Sequence, residues 1–169
     1  MRILIGEDET IIRLDLRGLL ERAGYEVCAE ARDGREAVDL AHEHEPDLAI
    51  LDVKMPNIDG IEAARMITAE RPIPIVLLTA YGGPELVARA VGAGVFGYIV
   101  KPFREIEIVP ALELAWARHT DWLETRRDLG RTVGAAPVDV VVEGKARWPL
   151  RIARRVDGSI DVTLNEEPG

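Results

Sequence analysis

Leu48-Ala49-Ile50-Leu51-Asp52-Val53-Lys54-Met55-Pro56 is a short apolar run that ends in an acid and passes into a loop shaped by a proline. A strand that is apolar at consecutive positions is covered on both faces, as strands are in parallel α/β sheets. The same texture recurs at Ile3-Leu4-Ile5, at Ile75-Val76-Leu77-Leu78 and at Phe96-Gly97-Tyr98-Ile99-Val100, and Tyr25 to Ala31 is a weaker, alternating version. Amphipathic segments of helical length lie between these runs. Ile12, Leu16, Leu19 and Ala23 form one helical stripe, which Gly24 stops. The remaining segments cover roughly 34–45, 60–71, 84–93 and 104–127, and Pro84 suits a first helical position. Five strands alternating with five helices predict an α/β fold: a (βα)5 unit, doubly wound around a parallel five-stranded sheet with right-handed crossovers.

Composition narrows the function. The chain has 169 residues, enough to bury a proper core, and 47% of them are hydrophobic, which excludes a wholly disordered chain. Cys28 is the single cysteine, so an intrachain disulfide and a zinc site built on several cysteines are both excluded. The opening Met1-Arg2-Ile3-Leu4-Ile5-Gly6-Glu7-Asp8 meets acid too soon to hold a signal-peptide core, and no apolar run approaches a membrane span. A cytoplasmic location with no membrane partner is therefore expected. Residues 1–128 hold 15 basic and 24 acidic side chains, the whole net charge of −9, while residues 129–169 balance at 6 against 6. The first part is a poor candidate for gripping a phosphate backbone.

In an open parallel sheet, ligands sit beyond the carboxyl ends of the strands. The first strand delivers Glu7 and Asp8 there, the third Asp52, the fourth Thr79 and the fifth Lys101 followed by Pro102. One acid at a strand end carries little meaning, since it is as easily a solvated turn or a helix cap. The whole set arriving at one edge carries much more. Crowded carboxylates raise one another's pKa values, and Mg²⁺, which favours oxygen ligands and phosphate oxygens, relieves the repulsion. Phosphoryl transfer needs chiefly alignment and neutralisation of charge on the phosphoryl oxygens. Lys101 and Thr79 suit that task, with Asp52 as the nucleophile that becomes an acyl phosphate.

Glu7-Asp8, Asp52-Val53-Lys54-Met55-Pro56, Asp59-Gly60, Thr79-Ala80, Tyr98 and Lys101-Pro102-Phe103 together resemble the receiver domain of two-component response regulators, over residues 1 to about 125. The resemblance implies the flavodoxin-like, CheY-like fold and a Mg²⁺-dependent phosphoacceptor rather than an enzyme, charged on Asp52 by a sensor histidine kinase. It implies that Asp8 binds the metal directly, Glu7 mostly through water and Lys54 through its backbone carbonyl. Lys101-Pro102 is expected to be a cis peptide. Tyr98 is the expected switch aromatic, turning inward as Thr79 moves, with room left by Ala80. The signal would leave through a face built by the fourth helix, fifth strand and fifth helix, which is also a homodimer candidate. Lys54 and Tyr81 flank the expected water path and are assigned to phosphoryl lifetime.

Residues 1–125 are especially similar to receivers that precede an ANTAR RNA-binding module, through Asp8-Glu9, Ile12-Arg13-Leu14-Asp15-Leu16 and Val100-Lys101-Pro102-Phe103. That module is helical, however, whereas the residues after the fifth helix read as β. Residues 1–128 are read as the receiver with an extended last helix, 129–137 as a Gly/Pro linker, and 138–169 as a small antiparallel β segment with a turn at Asp157-Gly158. RNA binding does not carry over with the resemblance. The alternative function is a nucleic-acid-binding regulator that uses this tail. Lys145 to Arg155 holds five positive charges and Trp148, although a solvated hairpin face explains it as well. A phosphatase is disfavoured because Lys54 stands where a second acid would be needed. His42 and His44, two apart, do not share a helix face, and Cys28 is read as a buried small hydrophobe. Along the last helix, Val109, Leu112, Trp116 and Leu123 are read as a stripe, and Trp122 and Leu123 as exposed unless paired, in a homodimer or against the tail.

Overall fold

The computed structural model describes residues 1–80, 82, 84–128, 150–154 and 160–164. Chain order is β1 (Arg2–Gly6), α1 (Thr10–Arg22), β2 (Glu26–Ala31), α2 (Gly34–His44), β3 (Leu48–Asp52), α3 (Gly60–Glu70), β4 (Ile75–Thr79), α4 (Pro84–Ala90), β5 (Val95–Val100) and α5 (Glu105–Asp128). The five strands form one parallel sheet in the order β2-β1-β3-β4-β5. The order reverses between β1 and β3, so their carboxyl ends open the crevice in which such sheets hold ligands.

Because side chains alternate across a strand, consecutive apolar residues feed two cores. Leu4, Ala49, Leu51, Ile75 and Leu77 face α2 and α3 in one cluster. Ile3, Ile5, Leu48, Ile50, Val76, Leu78 and Ile99 face α1 and α5 in the other. This is the doubly wound arrangement that the uninterrupted apolar runs predict. The central strands β3 and β4 are buried throughout, whereas the edge strand β2 is mostly half-buried, which matches its alternating sequence.

Several details differ from the sequence reading. The fourth helix ends at Ala90 rather than near 93, because Gly92 and Gly94 take positive φ of 79° and 71° and turn the chain into β5. The buried stripe of α5 is Ile108, Leu112, Ala115 and His119, so Val109 and Trp116 lie off it and Trp116 is 40% exposed. Trp122 is not left bare: it stacks on His119 at 5.8 Å between ring centres and meets Phe96 edge-on at 6.2 Å. The receiver thus covers α5 one turn further than its apolar residues alone suggest. In α1 the buried face is Arg13, Leu16, Leu19 and Leu20, rotated from the stripe through Ile12 and Ala23. Cys28 is half-buried, its thiol 3.4 Å from the Ile3 carbonyl.

Beyond the receiver, β6 (Leu150–Arg154) and β7 (Ile160–Leu164) pair antiparallel, Leu150 opposite Leu164 and Arg154 opposite Ile160. The linker at 129–137, a strand at 138–142, Trp148 and the Asp157-Gly158 turn lie outside the described residues. No helix among the described residues is long and apolar enough to cross a membrane.

Leu77 is fully buried in the central strand and Ile11 is 84% exposed on α1. Leu77→Ala is expected to cost about 3 kcal/mol in urea unfolding, and Ile11→Ala less than about 0.5 kcal/mol. Equal midpoints for the two variants would contradict this assignment of the core.

Candidate functional site

The parallel register aligns the carboxyl ends. The Val53 amide donates to the Leu78 carbonyl at 2.8 Å, and the Lys101 amide donates to the Thr79 carbonyl at 2.8 Å. Strands β3, β4 and β5 are therefore tied together at the residues where their functional side chains begin. Glu7, Asp8 and Asp52 each bring a carboxylate oxygen to within 4.8 Å of the others. Lys101 lies between two of them, its Nζ 2.7 Å from Glu7 Oε2 and 3.1 Å from Asp52 Oδ2. Glu7 is completely buried, Asp52 and Thr79 are nearly so, and Asp8 is exposed. Asp8, Asp52, Lys54, Thr79 and Lys101 line one cleft of about 550 Å³.

Burial dominates the electrostatics. It pushes the Asp52 carboxyl above its ordinary value; contact with Lys101 and the Lys54 amide opposes this, and the Asp8 charge adds to it. Glu7 is pushed up in the same way by burial and by Asp52, against the pull of Lys101. Burial works against the charge of Lys101, but its contacts with Glu7 and Asp52 outweigh that and hold its pKa above the usual lysine value. Two desolvated carboxylates thus share one ammonium, with a third acid beside them. This oxygen-only donor set, short of positive charge, fits a hard divalent cation such as Mg²⁺.

The loop after β3 is shaped by packing. Asp59 caps α3, accepting from the amides of Ile61 at 3.0 Å and Glu62 at 2.9 Å. A Cβ on Gly60 would lie 2.0 Å from the Asp52 carbonyl oxygen, and one on Gly34 would lie 2.1 Å from the Ile58 carbonyl oxygen. Asn57 takes a positive φ of 66°. Asp59-Gly60 therefore serves the loop and the start of α3. Lys101-Pro102 is cis. Tyr98 is half-buried in β5, and burial pushes its phenol up. A Cβ on Gly82 would lie 3.3 Å from the Tyr98 ring. Tyr81 lies outside the described residues. His42 pairs with Glu70 at 2.5 Å and takes no part in the acidic cluster.

Sequence reasoning passed over Arg13. It is buried on α1, and its Nη1 donates to the Glu7 carbonyl at 2.6 Å. The available signal was a cation at i, i+3, i+7 spacing with Leu16 and Leu20, on an otherwise apolar face.

Fold and cleft together are those of a response-regulator receiver domain. Residues 3–113 match the family model of the response regulator receiver domain, and the chain belongs to that family. It is 54% identical over 117 residues to the transcriptional regulatory protein PdtaR of Mycobacterium tuberculosis, a match covering 69% of this chain and 57% of that protein. The chain thus spans little more than half of that relative's length. It is 39% identical over 112 residues to the chemotaxis protein CheY of Thermotoga maritima, covering 66% of this chain and 93% of that one. Among solved structures, CheY in the CheX–CheY–BeF3–Mg²⁺ complex of Borrelia burgdorferi superposes with a TM-score of 0.64 at 26% identity, covering 66% of this chain and 86% of that one.

A carboxyl whose pKa is higher folded than unfolded costs stability once it ionises. In the metal-free protein, the burden of Asp52 grows as pH rises above the ordinary aspartate value of 3.8 towards its raised folded value. Asp52→Asn is therefore expected to raise the unfolding midpoint at pH 7. The advantage should vanish below about pH 4, where wild-type Asp52 is already neutral. A variant less stable than wild type at pH 7 would show that the Lys101 contact outweighs burial.

Proposed function

We propose that this chain is a phosphorylation-gated switch that takes a phosphoryl group onto Asp52 from the phosphohistidine of a sensor kinase. The observation that supports the reading most directly is the convergence of Glu7, Asp8 and Asp52 around Lys101, with Thr79 lining the same cleft. An Asp52 carboxylate oxygen attacks phosphorus, the N–P bond breaks, and the electron pair leaves on the imidazole. Lys101, already 3.1 Å from Asp52, is placed to neutralise one phosphoryl oxygen, and the Thr79 hydroxyl to hydrogen-bond another. Glu7, Asp8, Asp52 and the Lys54 carbonyl would hold Mg²⁺. The ion would supply charge neutralisation to the carboxylates and to the incoming group.

Once Asp52 carries the phosphoryl group as an acyl phosphate, its charge moves outward to the phosphoryl oxygens, and Lys101 and Thr79 follow it. In this reading the motion of Thr79 makes room for Tyr98, and the surface of α4, β5 and α5 changes. Val100 at the end of β5 is 43% exposed and Trp116 on α5 is 40% exposed, apolar surface that suits a protein partner or a second copy. Lys54 lies two residues beyond Asp52 and Tyr81 two beyond Thr79 in sequence, and the two are proposed to set phosphoryl lifetime. The tail, charge-balanced at 6 against 6, gives no electrostatic support for nucleic-acid binding, so the regulatory output of PdtaR is not carried over.

Incubation with acetyl phosphate and Mg²⁺ should add one phosphoryl mass on Asp52, located by peptide mass spectrometry. Asp52→Asn should abolish it, and Lys101→Ala should slow it by about 100-fold. Decay after Mg²⁺ chelation should differ between wild type and Lys54→Ala. Label that persists in Asp52→Asn would sink the assignment. In light scattering, beryllofluoride with Mg²⁺ should raise the mass of wild type but not of Asp52→Asn; an unchanged mass would remove self-association from the output.

A further inference from the structure

Helix α1 begins abruptly. Among the described residues no side chain caps its first turn: Glu9 occupies the N-cap position without a side-chain bond, and the first turn holds no acid. The two acids of the site sit on the loop just before this uncapped start. The Glu7 amide is fixed by the Ala31 carbonyl at 3.0 Å; the carbonyls of Glu7 and Asp8 are held from the helix itself.

Arg13 holds them from below. Its Nη1 donates to the Glu7 carbonyl at 2.6 Å and reaches the Asp8 carbonyl at 3.5 Å, while Nη2 lies 3.4 Å from the Thr10 hydroxyl. The guanidinium is itself anchored: its Nε lies 3.7 Å from a Glu30 carboxylate oxygen on β2, and Arg17 Nη1 holds the other oxygen of that carboxylate at 2.6 Å. Arg13 is 8% exposed. A buried arginine is retained only where its charge is paired and its donors are used. Here Arg13 shares Glu30 with Arg17, and one guanidinium nitrogen, Nη1, contacts the backbone carbonyls of both acids.

We infer that Arg13 is a positioning residue that presets the Glu7–Asp8 backbone for a divalent cation. The inference rests on the metal-dependent reading of the cleft. Two effects compete. A cation placed behind the acids weakens their attraction for Mg²⁺, whereas a fixed loop spares the ordering cost when the ion binds. Arg13 and Arg17 share Glu30, and Arg17 also pairs with Glu21 at 2.8 Å, so the local charges balance and the ordering effect wins. Residues that orient metal ligands from behind typically shift metal affinity by about 10–100-fold.

The test is calorimetric titration of the metal-free protein with Mg²⁺, for wild type, Arg13→Met, Arg13→Lys, Glu30→Gln, and Leu112→Ala as a core control. Arg13→Met should weaken binding by about 10-fold. Arg13→Lys, with one point donor in place of a fork, should recover only part of it, and Glu30→Gln should lose a few-fold. Leu112→Ala should lower stability yet leave the affinity of the folded protein unchanged. In parallel, hydrogen exchange at the Glu9 amide, which bonds the Glu7 carboxylate at 3.2 Å, should quicken in Arg13→Met without metal. Should Arg13→Met not fold, Arg13→Lys and Glu30→Gln carry the test. Wild-type affinity in the Arg13 and Glu30 variants, with Asp8→Asn still impaired, overturns the role of Arg13 alone. Absence of Mg²⁺ binding by wild type overturns the functional reading and this inference with it.

Discussion

Glu7 and Asp52 have been taken out of water and share the ammonium of Lys101, at 2.7 and 3.1 Å. Desolvating an ion costs several kcal/mol unless a partner compensates, and two carboxylates here have one compensating lysine. Much of the surrounding architecture makes that concentration of charge possible. The three groups come from three strands, so no single local segment can collapse them into a tighter and neutral arrangement. The parallel register sets their spacing, through bonds such as that from the Lys101 amide to the Thr79 carbonyl. The fully buried strands β3 and β4 give that register its rigidity. An unbalanced site of this kind is poor for stability and good for binding, because a cation and a phosphoryl group find ligands that are already desolvated and aligned.

Legibility in the sequence followed physical range. The strand-end residues were readable because each stands at a sharp change from apolar to polar, and topology alone delivers strand ends to a common edge. The doubly wound cores were readable because apolar residues run without alternation through β3 and β4. The phase of α5 was not. Val109 and Trp116 carry large apolar side chains, yet the buried face runs through Ala115 and His119. His119 hides a ring with no apolar label, packed at 5.3 Å between centres against Phe96. Size and hydropathy favoured the wrong face; contact with β5 selects the right one.

Glycine made the same point in the site loop. Nothing local distinguishes Gly34 from a surface helix start, but a Cβ there would lie 2.1 Å from a carbonyl oxygen of the loop between β3 and α3. Gly60 approaches the Asp52 carbonyl as closely. Both act across distances that a sequence pattern does not encode. Together they pack the start of α2 against the loop after β3 and the start of α3 against the end of β3, and leave the loop little room to move.

The two cations of the site divide the work along chemical lines. Lys101 presents a compact charge on a flexible stem, which under the proposed phosphoryl transfer would leave Glu7 and Asp52 and follow charge outward. Arg13 presents a flat fork, which suits a fixed target, and its targets are backbone carbonyls that do not move during chemistry. Exchanging them would fail in both places. A lysine at position 13 could not meet the Glu7 and Asp8 carbonyls, Thr10 and Glu30 at once, and an arginine at position 101 would bring a bulkier and less mobile head into the cleft beside Glu7 and Asp52. What separates the residue that holds the site from the residue that acts in it is therefore the geometry of each head group, since both are cations and both are mostly buried.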